Sequence, residues 1–174
     1  MRLFVAVSPP APVIDALRRL ERPDVAKLRW TTPDQWHVTL RFLGEVDSPA
    51  EVAAALSGVP EALRAVGGGE IRAELGPATA WFPGRQVLQV PVAGLDGPAN
   101  AVARATTPWD GPSRTPPFRG HLTVARMRGA ARGPARLAGT PIAVAWHVGE
   151  IVLVSSTLGA GGSRYRVEAT VTLS

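Results

Sequence analysis

Cysteine is absent from this chain of 174 residues. Its absence excludes a disulfide framework, a zinc–thiolate or iron–sulfur site and a cysteine nucleophile. Long apolar runs are absent as well, because no stretch approaches the ~20 residues of a membrane span. The apolar run at residues 3–7 is also too short for a signal peptide. We therefore expect a soluble, cytoplasmic protein with no membrane partner.

Lysine is almost missing too. Lys27 is the single lysine, so 18 of the 19 basic residues are arginines, set against 14 acids and giving a net charge of +5. Arginine binds phosphate groups through two parallel hydrogen bonds, which favours a nucleic-acid or nucleotide partner. Alanine, glycine and proline are abundant beside it, so a GC-rich genome is the competing explanation of the arginine count.

Helix-like and strand-like segments are mixed along the chain. Apolar spacing and capping signals predict helices over about 12–20, 49–56, 60–66 and 97–106. Strand-like runs lie at 3–7, 27–31, 36–43, 70–75, 86–92, 142–154 and 164–173. Hairpin-like neighbours outnumber strand–helix–strand units, which indicates a single α+β domain over 1–174 with a mostly antiparallel sheet. Neither a Gly-x-Gly-x-x-Gly motif nor a P-loop occurs, so no dinucleotide or P-loop site is supported.

Two of the three histidines stand in matching sequence contexts. His37 opens the segment His-Val-Thr-Leu and His121 opens His-Leu-Thr-Val, so both have the form His-x-Thr-x with an aliphatic residue at each x. The copies lie 84 positions apart in a chain whose half-length is 87. This spacing predicts two half-repeats that each contribute one motif to a shared site. His147 has no threonine two positions later, and we interpret it as an ordinary strand histidine.

Alternation along a strand predicts which side chains face together. In the first copy His37, Thr39 and Arg41 share one face, and Phe42 lies on the opposite, core-facing side. The second histidine and its threonine share a face in the same way. If a pseudo-twofold axis relates the halves, two imidazoles and two hydroxyls meet in one small volume. Arg126 has the opposite parity to the second histidine, so it reaches this volume from the rim or through a strand end or bulge just before it.

This set of groups suits a reaction at a phosphodiester. Imidazole titrates near neutral pH, so one ring can act as general base and the other as general acid. Threonine hydroxyls can donate hydrogen bonds to non-bridging phosphate oxygens, and a guanidinium can offset charge that develops in the transition state. A metal site is a poor alternative, because each motif offers one ligand and no acidic cluster adjoins either histidine. The sequence therefore predicts a phosphoesterase that needs no metal and no cofactor.

The motifs and their flanks resemble the two-histidine (2H) phosphoesterases, and more closely the LigT-like RNA 2′,3′-cyclic phosphodiesterases, formerly called 2′–5′ RNA ligases. The resemblance lies in residues 2–7, 36–46, 117–126, 155–158 and 162–165. Gly120 departs from the pattern, since proline is expected before the second histidine. The resemblance implies a bilobal α+β fold, in which two pseudo-twofold-related halves with antiparallel sheets meet at a central cleft and the helices lie outside.

The resemblance also implies a reaction and a role for each motif residue. The partner would be an RNA 3′ end or a nucleotide bearing a 2′,3′-cyclic phosphate, the product would be a 2′-phosphate, and reversal would form a 2′–5′ link. His37 would be the general acid and His121 the general base, and pseudo-symmetry allows these labels to be exchanged. Thr39, Thr123 and Arg126 would bind the phosphate. The protein would be a monomer, because its own halves complete the cleft.

Five further side chains are candidates for contacts with the nucleobase or the phosphate. A terminal base needs a surface to stack on, and a second arginine could reach the phosphate. The candidates are Arg41, Phe42, Trp81, Phe118 and Tyr165. Packing in the core is the competing interpretation of the four aromatic residues.

Two other functions stay open at the level of sequence. A 2H enzyme could act on 2′–5′ oligonucleotides or on small nucleotide cyclic phosphates, because His-x-Thr-x is shared across the superfamily. A non-catalytic RNA-binding module would also use the arginines, but it needs no pair of titrating histidines. A substrate panel tests the first alternative. Steeply salt-dependent binding that is indifferent to the terminal phosphate would favour the second.

Overall fold

The computed structural model describes residues 1–67, 69–109, 117–159 and 162–173. The strands are β1 (Arg2–Val7), β2 (Leu28–Trp30), β3 (Val38–Glu45), β4 (Arg72–Leu75), β5 (Ala80–Trp81), β6 (Val87–Ala93), β7 (His121–Met127), β8 (Val144–His147), β9 (Glu150–Gly159) and β10 (Gly162–Thr172). The α-helices are α1 (Ala11–Arg18), α2 (Pro49–Leu56), α3 (Val59–Ala65) and α4 (Asp96–Ala105). Short 3₁₀ helices lie at Pro33–Gln35, Thr107–Trp109 and Ala135–Leu137.

The four predicted helices are confirmed as α1, α2, α3 and α4, with each end within two residues of its predicted position. α1 and α2 carry a proline in the first turn, where its fixed φ suits the helix and its missing N–H is not needed. Ser48 caps α2, because its hydroxyl accepts a hydrogen bond from the N–H of Glu51 at 3.4 Å. None of the described helices is long and apolar enough to cross a membrane.

The ten strands of the described residues form one sheet in the order β10-β9-β1-β3-β7-β6-β4-β8, with β2 beside β7 and β5 beside β6. Its described pairings are antiparallel. β3 and β7 are joined at one register position, where Val38 lies opposite Leu122. These two residues are the aliphatic positions that directly follow the motif histidines. The short junction divides the sheet into two lobes and sets the two His-x-Thr-x segments side by side, which confirms the bilobal α+β fold.

A strand–helix–strand unit occurs in each lobe. β1, α1 and β3 form it in the first lobe and β6, α4 and β7 form it in the second, and in both units the two strands pair antiparallel. The first lobe also takes β9 and β10 from the end of the chain, whereas the second combines β2, from near the start, with β4 to β8. The lobes are therefore not the first and second halves of the sequence. The presence of two half-repeats stays a prediction. If the repeats exist, the two strand–helix–strand units are the segments that correspond to each other.

Alternate residues of β1 belong to two different apolar clusters. Leu3, Val5 and Val7 are part of the main hydrophobic core. A smaller cluster on the opposite face of the sheet consists of Phe4, Ala6, Val152 and Val154, with Tyr165 packed against it. Because both faces of this strand are covered, residues 3–7 are continuously apolar rather than alternating. The smaller cluster adjoins the cleft, since Phe4 and Tyr165 both line it.

Candidate active site

One extra residue follows the threonine in each motif strand. In β3, Thr39 pairs with Ala6 and Arg41 pairs with Val5, which leaves Leu40 as the extra residue. In β7, Gln89 lies opposite Thr123 and Leu88 opposite Ala125, which leaves Val124 as the extra residue. A β-bulge of this kind shifts the alternation of side chains by one position. The residue five positions after each motif histidine, Phe42 or Arg126, therefore turns towards the cleft.

The bulge in β3 overturns two predictions about side-chain direction. Arg41 was predicted to share a face with His37, but it is only 7% exposed and its Nη1 donates a hydrogen bond to the carbonyl of Ala103 in α4 at 2.6 Å. Phe42 was predicted to face the core, but it is 71% exposed and lines the cleft. Strict alternation fails here because it allows for no extra residue. His37 itself lies just before β3, which begins at Val38.

A cleft of about 520 Å³ opens between the two motif strands. Its volume falls within the range of small-molecule sites, roughly 300–1,000 Å³. His37, Thr39, His121, Thr123 and Arg126 all line it. Three further arginines do so as well, whereas no Asp or Glu of the described residues does; these arginines are Arg2, Arg29 and Arg128. A positively charged surface raises the local concentration of anions.

Both motif histidines are held in the same way by the backbone. Nδ1 of His37 lies 2.8 Å from the carbonyl oxygen of Gln35, and Nδ1 of His121 lies 2.8 Å from that of Arg119. A carbonyl oxygen can only accept a hydrogen bond, so Nδ1 carries the hydrogen in each neutral ring. Nε2 is therefore the nitrogen that gains or loses a proton in both histidines. In each case the acceptor is two residues before the histidine, which matches the pseudo-symmetry of the motifs.

Two aromatic rings pack against the imidazole of His37. The Phe4 ring centre lies 4.8 Å away and that of Tyr165 lies 5.0 Å away, the latter edge to face. The pKa of His37 is lowered to about 4, mainly because the ring is buried among these groups. The Gln35 carbonyl acts in the opposite direction, and repulsion from Arg126 and His121 contributes to the lowering. His37 is therefore neutral near pH 7 in the protein alone.

His121 has a similar but less buried environment. The ring of Phe82 lies 4.7 Å from it, edge to face, and the guanidinium of Arg119 lies over the same phenyl ring at 5.3 Å. Burial lowers the pKa of His121 below its usual value, the Arg119 carbonyl opposes this, and the charges of Arg126 and Arg119 add to the lowering. Arg126 thus acts on both rings, so a phosphate that binds Arg126 changes the charge felt by each histidine.

The lowered pKa of His37 predicts a dependence of stability on pH. Below pH 6.5 the unfolded chain binds a proton on this residue that the folded chain does not bind until about pH 4. The free energy of unfolding should therefore fall as pH decreases from 6.5 to 4, with His37 contributing at most about 3 kcal/mol. Urea unfolding of wild type and His37→Gln at pH 4.5 and 7 measures this. If His37→Gln lost as much free energy of unfolding between pH 7 and pH 4.5 as wild type does, the prediction would be contradicted. His147→Gln is the control and should behave like wild type.

A buried threonine connects the two motifs. The hydroxyl of Thr31 donates to the backbone carbonyl of Thr123 at 2.9 Å and accepts from the indole N–H of Trp36 at 2.9 Å. Trp36 directly precedes His37, so the chain entering the first motif is tied to the backbone of the second. Unsatisfied buried polar groups cost roughly 1–3 kcal/mol, which makes separation of the two motifs at this point unfavourable.

The fold and the first motif region are shared with known proteins. The family model described as LigT like Phosphoesterase matches residues 5–80, a span that includes His37 and Thr39. The crystal structure of TT0787 from Thermus thermophilus superposes with a TM-score of 0.79 and 27% sequence identity, covering 99% of this chain and 98% of that one. Residues 5–80 of this chain thus match the LigT-like phosphoesterase family model, and the whole chain shares the fold of that structure.

Crystal structures of E. coli LigT also resemble this chain over its full length. The complex with 3′-AMP has a TM-score of 0.72 and 26% identity, covering 99% of this chain and 98% of that chain. The complex with NADP⁺ has the same TM-score and identity, with 99% and 97% covered. A comparison with curated protein sequences found no match.

The cleft brings together some of the predicted site residues and not others. Those that line it are His37, Thr39, Phe42, His121, Thr123, Arg126 and Tyr165. Trp81 does not line it, and its indole N–H donates to the carbonyl of Pro134 at 3.0 Å. Phe118 packs against the main hydrophobic core instead. Core packing, the competing interpretation of the aromatic candidates, therefore describes Trp81 and Phe118. The bulge at Leu40 turns Arg41 away from the cleft.

Gly120 departs from the LigT-like pattern for a visible steric reason. A Cβ at this position would overlap the carbonyl oxygen of Val92 in β6. The carbonyl of Gly120 also accepts a hydrogen bond from the N–H of Val92 at 3.0 Å. The two backbones therefore touch directly before His121, and a proline ring has no room in this local conformation.

Sequence reasoning missed several residues of this site. Gln35 orients His37 through a backbone carbonyl, and such a contact leaves no signal in residue type. Arg29 reaches the cleft because β2 pairs with β7, which sets Arg29 opposite Arg126. The contact of Phe82 with His121 also depends on the path of the chain around β5. The only usable sequence signal was the excess of arginine, and it did not indicate which of the arginines line the cleft.

Proposed function

We propose that this chain is a metal-independent RNA 2′,3′-cyclic phosphodiesterase that hydrolyses a terminal 2′,3′-cyclic phosphate to a 2′-phosphate. The observation that carries the proposal is the pair of matched imidazoles. Each has Nδ1 held by a carbonyl and Nε2 as its titrating nitrogen, and both line a cleft that arginines and threonines also line. A general acid and a general base on either side of one phosphate is the arrangement that such a hydrolysis needs.

The proposed reaction uses one proton transfer at each histidine. A water oxygen attacks phosphorus while its proton passes to Nε2 of neutral His121. The bond between phosphorus and O3′ breaks, and O3′ takes a proton from Nε2 of His37, which leaves the phosphate on O2′. His37 must be protonated for this step, although its pKa is about 4 in the protein alone. A negative phosphate between the rings favours the imidazolium form, so substrate binding raises this pKa.

The phosphate oxygens are assigned to three further side chains. The hydroxyls of Thr39 and Thr123 can each donate a hydrogen bond to a non-bridging oxygen, and both residues line the cleft. Arg126 can offset the negative charge that develops as water attacks. The roles of general acid and general base could still be exchanged between the two histidines. The reverse reaction would join the cyclic phosphate to a 5′-hydroxyl.

The two lobes differ at one equivalent position, which suggests how the nucleoside is oriented. Phe42 and Arg126 each stand five residues after a motif histidine and after the same bulge. One lobe therefore presents an aromatic ring where the other presents a cation. We assign Phe42 and Tyr165 to the nucleobase and Arg126 to the phosphate. E. coli LigT, a structural relative, has been crystallised with 3′-AMP, which is consistent with a nucleotide in this cleft.

Product analysis tests the proposed function. The substrate is a short RNA with a terminal 2′,3′-cyclic phosphate, incubated with the protein in excess EDTA. We expect a 2′-phosphate as the sole product, at the rate seen without chelator. A 3′-phosphate product, or loss of activity with EDTA that added metal restores, would contradict the proposal. Hydrolysis of a 2′–5′ oligonucleotide in place of the cyclic phosphate would support the alternative substrate class instead.

A further inference from the structure

A second, smaller cavity continues from the cleft. Its volume is about 210 Å³. Four residues line both spaces, namely Arg29, Gln35, Gly162 and Ser163. The outer part is lined by Trp30, Thr32, Asp34 and Arg164. The two spaces therefore form one channel, which leads from the paired histidines past the 3₁₀ helix Pro33–Gln35 to the beginning of β10.

The guanidinium of Arg29 is fixed where the two spaces meet. Its Nη2 donates to Oε1 of Gln35 at 3.3 Å, and Nε2 of Gln35 donates in turn to the carbonyl of Ser163 at 3.0 Å. Gly162 has a φ of +108° and no side chain, and a Cβ there would overlap this guanidinium. A side chain held in advance in this way loses less conformational freedom on binding a ligand.

Positive charge dominates the outer cavity as well. Arg164 is exposed on β10, and among the described residues neither it nor Arg29 forms an ion pair with a carboxylate. Among the described residues, Asp34 is the one acidic member of this lining. Trp30 provides an aromatic side chain, whose indole N–H is already used in a hydrogen bond to the carbonyl of Pro23 at 3.2 Å. Arginines along a groove beside an aromatic ring are the elements with which proteins bind single-stranded nucleic acid.

We propose that this outer cavity is a subsite for the penultimate nucleotide of an RNA chain, with Arg29 and Arg164 binding the phosphodiester that links it to the terminal nucleotide. Thr32 and Asp34 offer hydrogen-bond acceptors for the ribose hydroxyl or the base amino groups. The subsite deepens the proposed function, because it rests on a terminal nucleotide being held in the main cleft. It makes the substrate a polynucleotide end rather than a free mononucleotide.

Binding of reaction products tests the subsite without turnover. The probes are an RNA trinucleotide ending in a 2′-phosphate and the corresponding nucleoside 2′-phosphate, compared by calorimetry with wild type, Arg164→Ala and Arg166→Ala. Arg166 is the matched control, because it lies two residues further along β10, loses the same charge and lines neither cavity. In wild type the trinucleotide should bind more tightly, and Arg164→Ala should reduce this preference about tenfold, as expected for one charged hydrogen bond.

Salt dependence gives a second measure of the same contact. For the trinucleotide, the slope of log K against log salt concentration should become shallower by about 0.7 in Arg164→Ala, the value for one single-strand phosphate contact. Arg166→Ala should keep the wild-type preference and slope. Equal effects of the two substitutions, or a wild type that binds both probes alike, would overturn the subsite. A protein that shows the preference but does not open a cyclic phosphate would refute the proposed function and leave the subsite standing.

Discussion

Replacement of His37 by alanine should lower kcat for a 2′,3′-cyclic phosphate by about two to four orders of magnitude, the usual contribution of a general acid or base. The substitution removes Nε2, the atom assigned to protonate O3′. His121→Ala should have an effect of similar size, because it removes the group assigned to activate water. Initial rates with a ribonucleoside 2′,3′-cyclic phosphate measure both. Each histidine serves a different proton transfer, so neither can replace the other.

His147→Ala is the matched control for these two variants. His147 is the third histidine, lies outside the cleft, and has its Nε2 at 3.6 Å from a carboxylate oxygen of Glu70. Its removal should leave turnover close to the wild-type value. Thermal unfolding of all three variants separates lost chemistry from lost structure. If a folded His37→Ala or His121→Ala protein retained more than a tenth of the wild-type rate, the paired-histidine mechanism would be wrong.

Replacement of Arg126 by alanine should reduce kcat by about 10²- to 10³-fold, in the range measured for the loss of one group that stabilises transition-state charge. The change should fall mainly on kcat, because the charge that Arg126 offsets grows as the reaction proceeds. Arg126→Lys should recover part of this loss, since lysine keeps the charge without the planar fork of donors. Steady-state kinetics of the three proteins provides the measurement.

Arg126→Ala should also change the charge felt by both histidines. Repulsion from this guanidinium contributes to the lowered pKa of His37 and of His121. Without it the pKa of each imidazole should rise, and NMR titration of the ring protons should show both shifts in the same direction. Arg136→Ala, which removes an exposed arginine outside the cleft, is the control. Unchanged imidazole titration together with a full rate would remove Arg126 from the proposed site.

The sequence determined the identity of the paired groups. The repeated His-x-Thr-x pattern requires only that each histidine and its threonine lie two positions apart, before the strand becomes irregular. That relation is local, so it does not depend on how the rest of the chain folds. Both histidine–threonine pairs line the same cleft. The absence of cysteine likewise restricted the chemistry before any fold was known.

The direction of the next side chains was decided by the strand partners. Leu40 and Val124 are extra residues only in relation to β1 and β6, which lie more than 30 positions away in sequence. No pattern within β3 or β7 states that a partner strand is one residue shorter. For this reason alternation assigned Arg41 to the cleft and Phe42 to the core, and the structure reverses both.

The surroundings of the histidines likewise depend on the tertiary structure. His37 packs against Phe4 of β1 and Tyr165 of β10, which come from opposite ends of the chain, and its burial lowers its pKa. The sequence alone placed two imidazoles and two hydroxyls on strands. Only the folded sheet, joined at Val38 and Leu122, brought them to one cleft and selected which arginines accompany them. Residue type and short spacing are local properties, whereas pairing register, burial and charge are set by segments distant in sequence.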